Sequence, residues 1–309
     1  PADLGRDHPG HLGHGVGRLL RRHLLVQRRR RDVERGELLG SVSGGCVESD
    51  VAVHAAEVIA DGAPRLLTYG IDDDQAWSVG LPCGGTVHIF MNTVERDLIE
   101  ELAAAVRSER PIALAVRISG AQIGEQRLEP LNGHFEPTLD GEEFVLPFAP
   151  RPNMYVFGAV DHAAAVARVG RFLGYRVTVC DARAKFVTEE RFPDVDELVV
   201  EWPDRFLTQA PVDQRTVICV LTHDHKFDIP LLQVALETPA GYIGAMGARR
   251  TNAERADRLR AEGVSEEALD RIHAPIGLDI GSRTPEEVAV AVGAEIVATF
   301  RGAKTPAGA

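Results

Sequence analysis

The stretch "MYVFGAVDHAAAVARVG", residues 154–170, decides the fold of the second half of the chain. An apolar run ends at a glycine turn, and the alanines and valines beyond it have the spacing of a helix. A second apolar run, "YRVTVCDAR" (175–183), follows that helix. Its acid, Asp181, lies 23 residues after Gly158, as in a dinucleotide-binding βαβ unit. The pattern predicts a Rossmann-like parallel sheet.

The glycine fingerprint of this unit is incomplete. Gly158 takes the position of the first glycine and Ala163 that of the third. Val160 takes the second position, where its branched side chain would fill the space in which the backbone approaches a pyrophosphate. Asp161 adds a negative charge at a helix N-terminus that otherwise attracts anions. The scaffold is therefore clearly indicated, while NAD(P) bound in the standard way is disfavoured.

From residue 37 onward the sequence predicts two α/β domains. Residues 37–148 contain two helical patterns among short strands and glycine turns, and from 149 strands and helices alternate. "APRPN" (149–153) predicts a linker. We expect a small N-terminal α/β domain at 37–148 and a Rossmann-like parallel-sheet domain at 149–309. The first helix is predicted to bury one face, formed by Val47, Val51, Ala55 and Val58.

Residues 1–36 differ from the rest of the chain. They hold nine arginines against four acids, a net charge of +5, and contain no Lys, Ile, Phe, Tyr, Ser or Thr. Three interpretations stay open: a basic arm for an acidic partner, a short amphipathic helix around 19–26, or GC-rich coding sequence read in the wrong frame. We assign this anomalous basic segment no function.

The composition bounds the function. The chain has 309 residues, 26% of them charged, and a formal net charge of −12, which argues against nucleic-acid binding. No apolar run approaches the ~18 residues of a membrane span, and no secretory signal is visible. Four cysteines in a chain of this length do not form a disulfide scaffold. We therefore expect reduced thiols and a cytoplasmic location.

Two cysteines lie in glycine-rich turns. "GSVSGGCVESD" (40–50) runs into a predicted helix at Cys46, and "GLPCGG" (80–85) surrounds Cys83. A thiol at a helix N-terminus has a lowered pKa, and soft thiolates suit soft metal centres and sulfur transfer. The alternative is a buried cysteine packed as a small hydrophobe, and the spacing does not indicate a CxxC zinc site. The neighbouring candidate binding residues are Ser43, Gly44, Gly45, Gly84 and Gly85.

Polar groups also follow three predicted strands of the second domain. "LTHDH" (221–225) offers metal or acid–base groups, unless Thr222 or Asp224 only caps the next helix. "GAMGARR" (244–250) suits a phosphate or carboxylate, unless its arginines are merely solvated. "HAPIGLDIGSRTPEE" (273–287) is a long loop that ends in a capping box of Thr284 and Glu287. The candidates are Gly158, Asp181, His223, Asp224, His225, Arg249, Arg250, His273, Asp279 and Arg283.

Taken together, these motifs resemble the XdhC/CoxI family. "GSVSGGCVE", a "GxxCGG" stretch, "THDH", "YIGAMGARR" and "HAPIGLDIGSRTPEEVA" occur in that order, and the resemblance covers about 36–95 and 150–300. Three features depart from the family pattern: "GAVDHA" replaces GAGHVG, Pro82 stands where glycine is usual, and residues 1–36 lack the "GSxPRxxGAxM" stretch.

The resemblance implies an accessory factor for molybdenum hydroxylases such as xanthine dehydrogenase and CO dehydrogenase. Such a factor binds molybdenum cofactor (molybdopterin), assists its sulfuration and helps it reach the apo-hydroxylase. It also implies a homodimer, a cysteine desulfurase as a second partner, and a chaperone with no turnover of its own. Cys83 matches the cysteine of the family's "CGG" motif and is implied to contact the molybdenum or sulfur of the cofactor, with Cys46 as a second thiolate.

Two other functions stay open. The first is an NAD(P)-dependent oxidoreductase built on the Rossmann-like domain, against which Val160 and Asp161 speak. The second is an adaptor that docks a molybdoenzyme without binding any ligand. A hydroxylase catalytic chain is excluded, because the sequence is too short and its four scattered cysteines cannot hold iron–sulfur clusters.

Overall fold

The structure is a computed structural model that describes residues 47–69 and 87–303. These residues divide into two compact units, with the division between Pro150 and Arg151. The elements of the first unit are α1 (Glu48–Asp61), β1 (Arg65–Tyr69), β2 (Val87–Met91), α2 (Arg96–Arg107), β3 (Ile112–Arg117), β4 (Gln126–Pro130), β5 (Thr138–Asp140) and β6 (Glu143–Phe148).

The helix α1 packs on an antiparallel pair formed by β1 and β2. The face predicted for α1 is confirmed, because Val47 and Val58 are buried against Ile89 and Met91, with Val51 and Ala55 beside them. The helix ends at Gly62, whose φ of 72° is the left-handed conformation that glycine adopts without steric cost. Burial of this apolar face holds the element in place.

The other strands of the first unit form a four-stranded antiparallel sheet in the order β4-β3-β6-β5. A two-residue turn joins β5 to β6, and it contains Gly141 at a φ of 58°. The helix α2 buries Leu102 and Ala105 in a cluster with Ile112 of β3.

The second unit is a six-stranded parallel sheet in the order β12-β11-β10-β7-β8-β9. This arrangement confirms the predicted α/β fold class. The strands are β7 (Asn153–Phe157), β8 (Arg176–Cys180), β9 (Glu197–Val199), β10 (Val217–Val220), β11 (Tyr242–Ala245) and β12 (Ile272–His273). The helices are α3 (Asp161–Phe172), α4 (Pro203–Gln209), α5 (His225–Glu237), α6 (Arg249–Ala261), α7 (Glu266–Leu269) and α8 (Pro285–Phe300), with a 3-10 turn at Ala184–Phe186.

Helices cover both faces of this sheet. One apolar cluster joins α3 and α8 to one face, and a second joins α4, α5, α6 and α7 to the other. Because both faces are buried, the central strands are uniformly apolar, which explains why they are visible in the sequence as continuous hydrophobic runs.

Several short elements escape prediction from sequence. The helices α4 and α7 and the strand β12 have 7, 4 and 2 residues, too few to show a period. Within the described ranges, no helix combines the length and the apolar character that crossing a bilayer would require.

A carboxylate near the start of the second unit ties several segments together. Asp196 accepts hydrogen bonds from the Val177 N–H at 2.9 Å and from Arg151, and it pairs with Arg171 at 2.7 Å. Burial alone would raise the pKa of Asp196, but these donors outweigh it and lower the pKa from 3.8 to about 2.

We expect Asp196→Asn to lower the free energy of unfolding by about 1–2 kcal/mol at neutral pH. The ionised carboxylate stabilises the fold above its unfolded pKa, so this contribution disappears as the pH falls from about 4 to 2. Urea unfolding of both proteins across that range is the measurement. Asp194→Asn, on the same loop, is the control, and a pH-independent difference between wild type and Asp196→Asn would contradict the assignment.

Candidate functional site

The order of the strands reverses between β7 and β10, which creates a crevice at their carboxyl ends. Open parallel sheets bind ligands at such a switch point. The turn at 158–161 leaves β7 on one side of the crevice, and the loop at 221–224 leaves β10 on the other. This edge of the sheet is the candidate functional site.

Gly158 is required by the closeness of the two sides. Its φ is 102°, and a Cβ at this position would lie 2.7 Å from the Thr222 Cγ2 and 3.0 Å from the Thr222 backbone nitrogen. Both values are below ordinary van der Waals contact, so any side chain would push the loop away. The prediction that glycine is needed at the turn agrees with this geometry.

Asp181 fastens the turn to β8. Its carboxylate is buried and accepts hydrogen bonds from the Ala159 N–H at 2.8 Å and from the backbone and guanidinium of Arg183 at 2.7–2.9 Å. Burial alone would raise the pKa of Asp181, but Arg183 and the Ala159 N–H outweigh it and lower the pKa. Both oxygens are engaged, so in this conformation Asp181 is not an open acceptor for a ribose.

The two unusual residues of the turn behave differently from each other. Val160 is half-buried and packs against the hydrophobic core, so its side chain is directed into the protein and does not fill the space above the turn as expected. Asp161 is 86% exposed and lies at the start of α3, as expected, but it is paired with Arg191 at 3.0 Å. Arg191 also donates to the Ala159 carbonyl at 3.0 Å.

The "LTHDH" loop does not form a metal site in the structure. Asp224 is the N-cap of α5, since it accepts from the Lys226 N–H at 3.1 Å, which agrees with the capping interpretation. His223 is exposed, and His225 begins the helix with a buried Nδ1 that has no hydrogen-bond partner in the structure. Across residues 47–69 and 87–303, no three His, Cys, Asp or Glu side chains are placed to hold a metal ion.

A buried ion pair beneath this loop was not predicted. Arg255 of α6 donates to Asp228 of α5 at 2.8 Å, and the two side chains are 3% and 1% exposed. Asp228 also accepts from Thr222, and Arg255 donates to the Met246 carbonyl at 3.0 Å. The pair thus joins the loop after β10 to the turn after β11. The available signal was a charge on the apolar face of each helix, beside Leu231 and Leu259.

The "GAMGARR" turn and the long loop at 273–287 meet through one pair of charges. Arg249 lies 3.6 Å from Asp279, and both are exposed. Arg250 is paired instead with Glu254 of its own helix at 2.9 Å. At the other end of the loop the capping box of Thr284 and Glu287 is confirmed, and Glu287 also accepts from the Arg283 N–H at 2.7 Å.

His273 anchors the start of the long loop. Its ring stacks on Tyr242 with centroids 4.5 Å apart, and its Nδ1 lies 3.4 Å from Glu295. Glu295 also accepts from the Tyr242 hydroxyl at 2.5 Å and the Gly277 N–H at 2.8 Å. Burial alone would raise the pKa of Glu295, but these donors lower it. His273 is therefore held in a fixed orientation at the edge of the sheet.

The candidate residues of the two glycine-rich cysteine turns lie outside the described residues. They are Ser43, Gly44, Gly45, Cys46, Cys83, Gly84 and Gly85. The described cysteines, Cys180 and Cys219, are both free and buried. Burial raises the pKa of Cys180 to about 12 and raises that of Cys219 as well, so both are neutral thiols at physiological pH.

Comparison with known families assigns both parts of the chain. Residues 154–296 match the model of the XdhC Rossmann domain, and residues 23–70 match that of the XdhC and CoxI family. This protein belongs to the XdhC/CoxI family. The second match begins at residue 23, inside the basic segment that was expected to lack family features.

Curated relatives of this XdhC/CoxI protein match it over most of their length. A probable xanthine dehydrogenase subunit from Bacillus subtilis (strain 168) is 26% identical over 291 residues, which is 86% of each chain. The molybdenum cofactor insertion chaperone PaoD of Escherichia coli (strain K12) is 29% identical over 264 residues, covering 85% of this chain and 74% of PaoD.

A crystal structure described as a xanthine dehydrogenase from Bacillus halodurans shares the fold. Its TM-score is 0.69 at 24% identity, and the match covers 89% of this chain and 86% of that chain.

The ion pair of Asp228 and Arg255 provides a stability test. We expect Asp228→Asn to lower the free energy of unfolding by about 3–5 kcal/mol, because it leaves the Arg255 charge buried without a counter-ion. Asp257→Asn, which removes an exposed partner of Arg260 on α6, should cost less than about 1 kcal/mol. Urea unfolding measures both.

The double variant Asp228→Leu/Arg255→Met should recover much of that loss, because it removes both charges together. A loss below about 1 kcal/mol in Asp228→Asn would contradict a structural role for the pair.

Proposed function

We propose that this protein is an accessory factor that binds molybdenum cofactor and assists its sulfuration and insertion into a molybdenum hydroxylase. The observation that carries the proposal is the similarity to PaoD, a molybdenum cofactor insertion chaperone, along most of both chains. The client would be an apo-hydroxylase of the xanthine dehydrogenase or CO dehydrogenase type, which agrees with the name of the Bacillus subtilis relative.

The thiol chemistry of the chain supports a role for Cys46 and Cys83. Molybdenum and its terminal sulfur are soft centres that thiolates bind well. Cys180 and Cys219 are buried with raised pKa values and cannot supply a thiolate. Of the four cysteines in the sequence, this leaves Cys46 and Cys83, each beside two glycines. We propose that Cys83 contacts the molybdenum or sulfur of the cofactor and that Cys46 is a second soft ligand.

The switch-point crevice supports the binding of the anionic end of the same cofactor. Its donors are the first N–H groups of α3 and α6 and the arginines around them. Arg249 is exposed and reaches toward Asp279, so it can exchange that partner for a phosphate. The remaining proposed binding residues at this edge are Gly158, Asp181, His223, Asp224, His225, Arg250, His273, Asp279 and Arg283, with Ser43, Gly44, Gly45, Gly84 and Gly85 at the cysteine turns.

The partners follow from the same proposal. We place the protein in the cytoplasm as a homodimer that delivers cofactor to the apo-hydroxylase and receives help from a cysteine desulfurase. The role is that of a carrier, with no turnover of a small substrate.

Anaerobic titration with isolated molybdenum cofactor tests the proposal. We expect saturable binding by the wild type and roughly tenfold weaker binding by Cys83→Ser, since a serine hydroxyl is a poor ligand for a soft metal. Cys219→Ala removes a buried thiol and is the control, so its affinity should equal that of the wild type. If the wild type does not bind the cofactor but still captures a molybdoenzyme, the adaptor function replaces this proposal.

NAD(P)-dependent oxidation is the second candidate, favoured by the sheet order and by Gly158 at a φ of 102°. The engaged carboxylate of Asp181 and the charge of Asp161 oppose it. We expect fluorescence titration with NADH to show no saturation at micromolar concentrations. A micromolar dissociation constant would restore this function to first place.

A further inference from the structure

Three cationic side chains converge on one aromatic ring beside the switch point. The guanidinium carbons of Arg183 and Arg191 lie 4.6 and 5.6 Å from the centroid of the Phe186 ring, and the Lys185 Nζ lies 4.8 Å from it. We refer to Arg183, Lys185, Phe186 and Arg191 as the Phe186 cluster. Attraction to the ring face accounts for part of this grouping, but the three like charges repel one another.

Two of the three cations are fixed in place. Asp181 holds the Nε and one Nη of Arg183 at 2.9 and 2.7 Å. Arg191 donates from one Nη to the carbonyls of Ala159 and Phe186 at 3.0 and 3.3 Å, and from the other to Asp161. The guanidinium groups are therefore preorganised, so little side-chain entropy remains to be lost when a ligand binds.

Donors remain in this cluster after its internal bonds are made. The structure shows no acceptor among the described residues for the second Nη of Arg183 or for the Lys185 ammonium. Asp181 and Asp161 offset two of the three positive charges. Asp224 also acts on Arg183, but its charge is shared with Lys226 at 3.0 Å. One positive charge is thus left uncompensated, on a side chain exposed to solvent.

The position of the cluster adds to its attraction for anions. Arg191 is bonded to the turn residues Ala159 and Asp161, so the cluster lies against the N-terminus of α3. That helix has 12 residues and directs its positive end toward the same region. The fixed guanidinium, the exposed ammonium and the helix end together present donors that a compact dianion would satisfy.

We propose that the Phe186 cluster binds a phosphate monoester. A monoester carries close to two negative charges at neutral pH, which offsets the excess charge, and its three terminal oxygens match the free donors of Arg183 and Lys185. Two sources share this chemistry: the phosphate of the pterin cofactor, for which the inference rests on the proposed function, and the phosphate of a nucleotide, for which it does not.

Calorimetric titration with 2′-AMP, with adenosine as the matched ligand without phosphate, tests the site directly. We expect the full chain to bind 2′-AMP and not adenosine. Lys185→Gln should weaken binding about tenfold, the loss of one charge-assisted hydrogen bond, and Lys185→Arg should retain it. Lys226→Gln is the control, because Lys226 also lies over a ring, that of Phe227 at 4.7 Å, but is already paired with Asp224.

The outcomes separate the site from the proposed function. Equal affinities for 2′-AMP and adenosine, or equal losses in Lys185→Gln and Lys226→Gln, would overturn the phosphate site while leaving the cofactor titration of Cys83→Ser untouched. If the site holds and Lys185→Gln also weakens binding of molybdenum cofactor, the occupant is the pterin phosphate. If only 2′-AMP binding weakens, the occupant is a nucleotide phosphate.

Discussion

The carboxylate of Asp181 organises the carboxyl edge of the second unit. It is buried, and it compensates for this by accepting from the Ala159 N–H and from three donors of Arg183. Through Ala159 it fixes the glycine turn, and through Arg183 it orients a guanidinium beside Phe186. An acid that serves a ribose in nucleotide-binding relatives of this fold here stabilises the protein itself, which leaves a basic surface where such an acid would otherwise be exposed.

The parts of the structure that follow from a repeating pattern were predictable. Apolar strands, a helix after Gly158 and the buried face of α1 all derive from the period of hydrophobic residues. The capping box of Thr284 and Glu287 was also predictable, because both halves of the motif lie within four residues of sequence. Local rules thus give the elements and many of their ends.

The rest depends on contacts between residues far apart in the chain. Asp228 and Arg255 are 27 positions apart, and no local pattern states that two charges on different helices will be buried together. Val160 could be assigned a position in the fingerprint but not a direction, which the core behind it decides. Likewise, Asp181 was correctly placed at a strand end, while its bonds depend on Arg183 folding back over it.

The strands at the two borders of the parallel sheet are short, three residues in β9 and two in β12. A border strand exposes unpaired backbone groups that another chain can extend, and brevity is one way in which proteins limit such pairing. The second unit therefore offers little backbone for strand addition. Any protein that receives a ligand from it is expected to recognise helices, loops and side chains, which can be released again more readily than a continuous sheet.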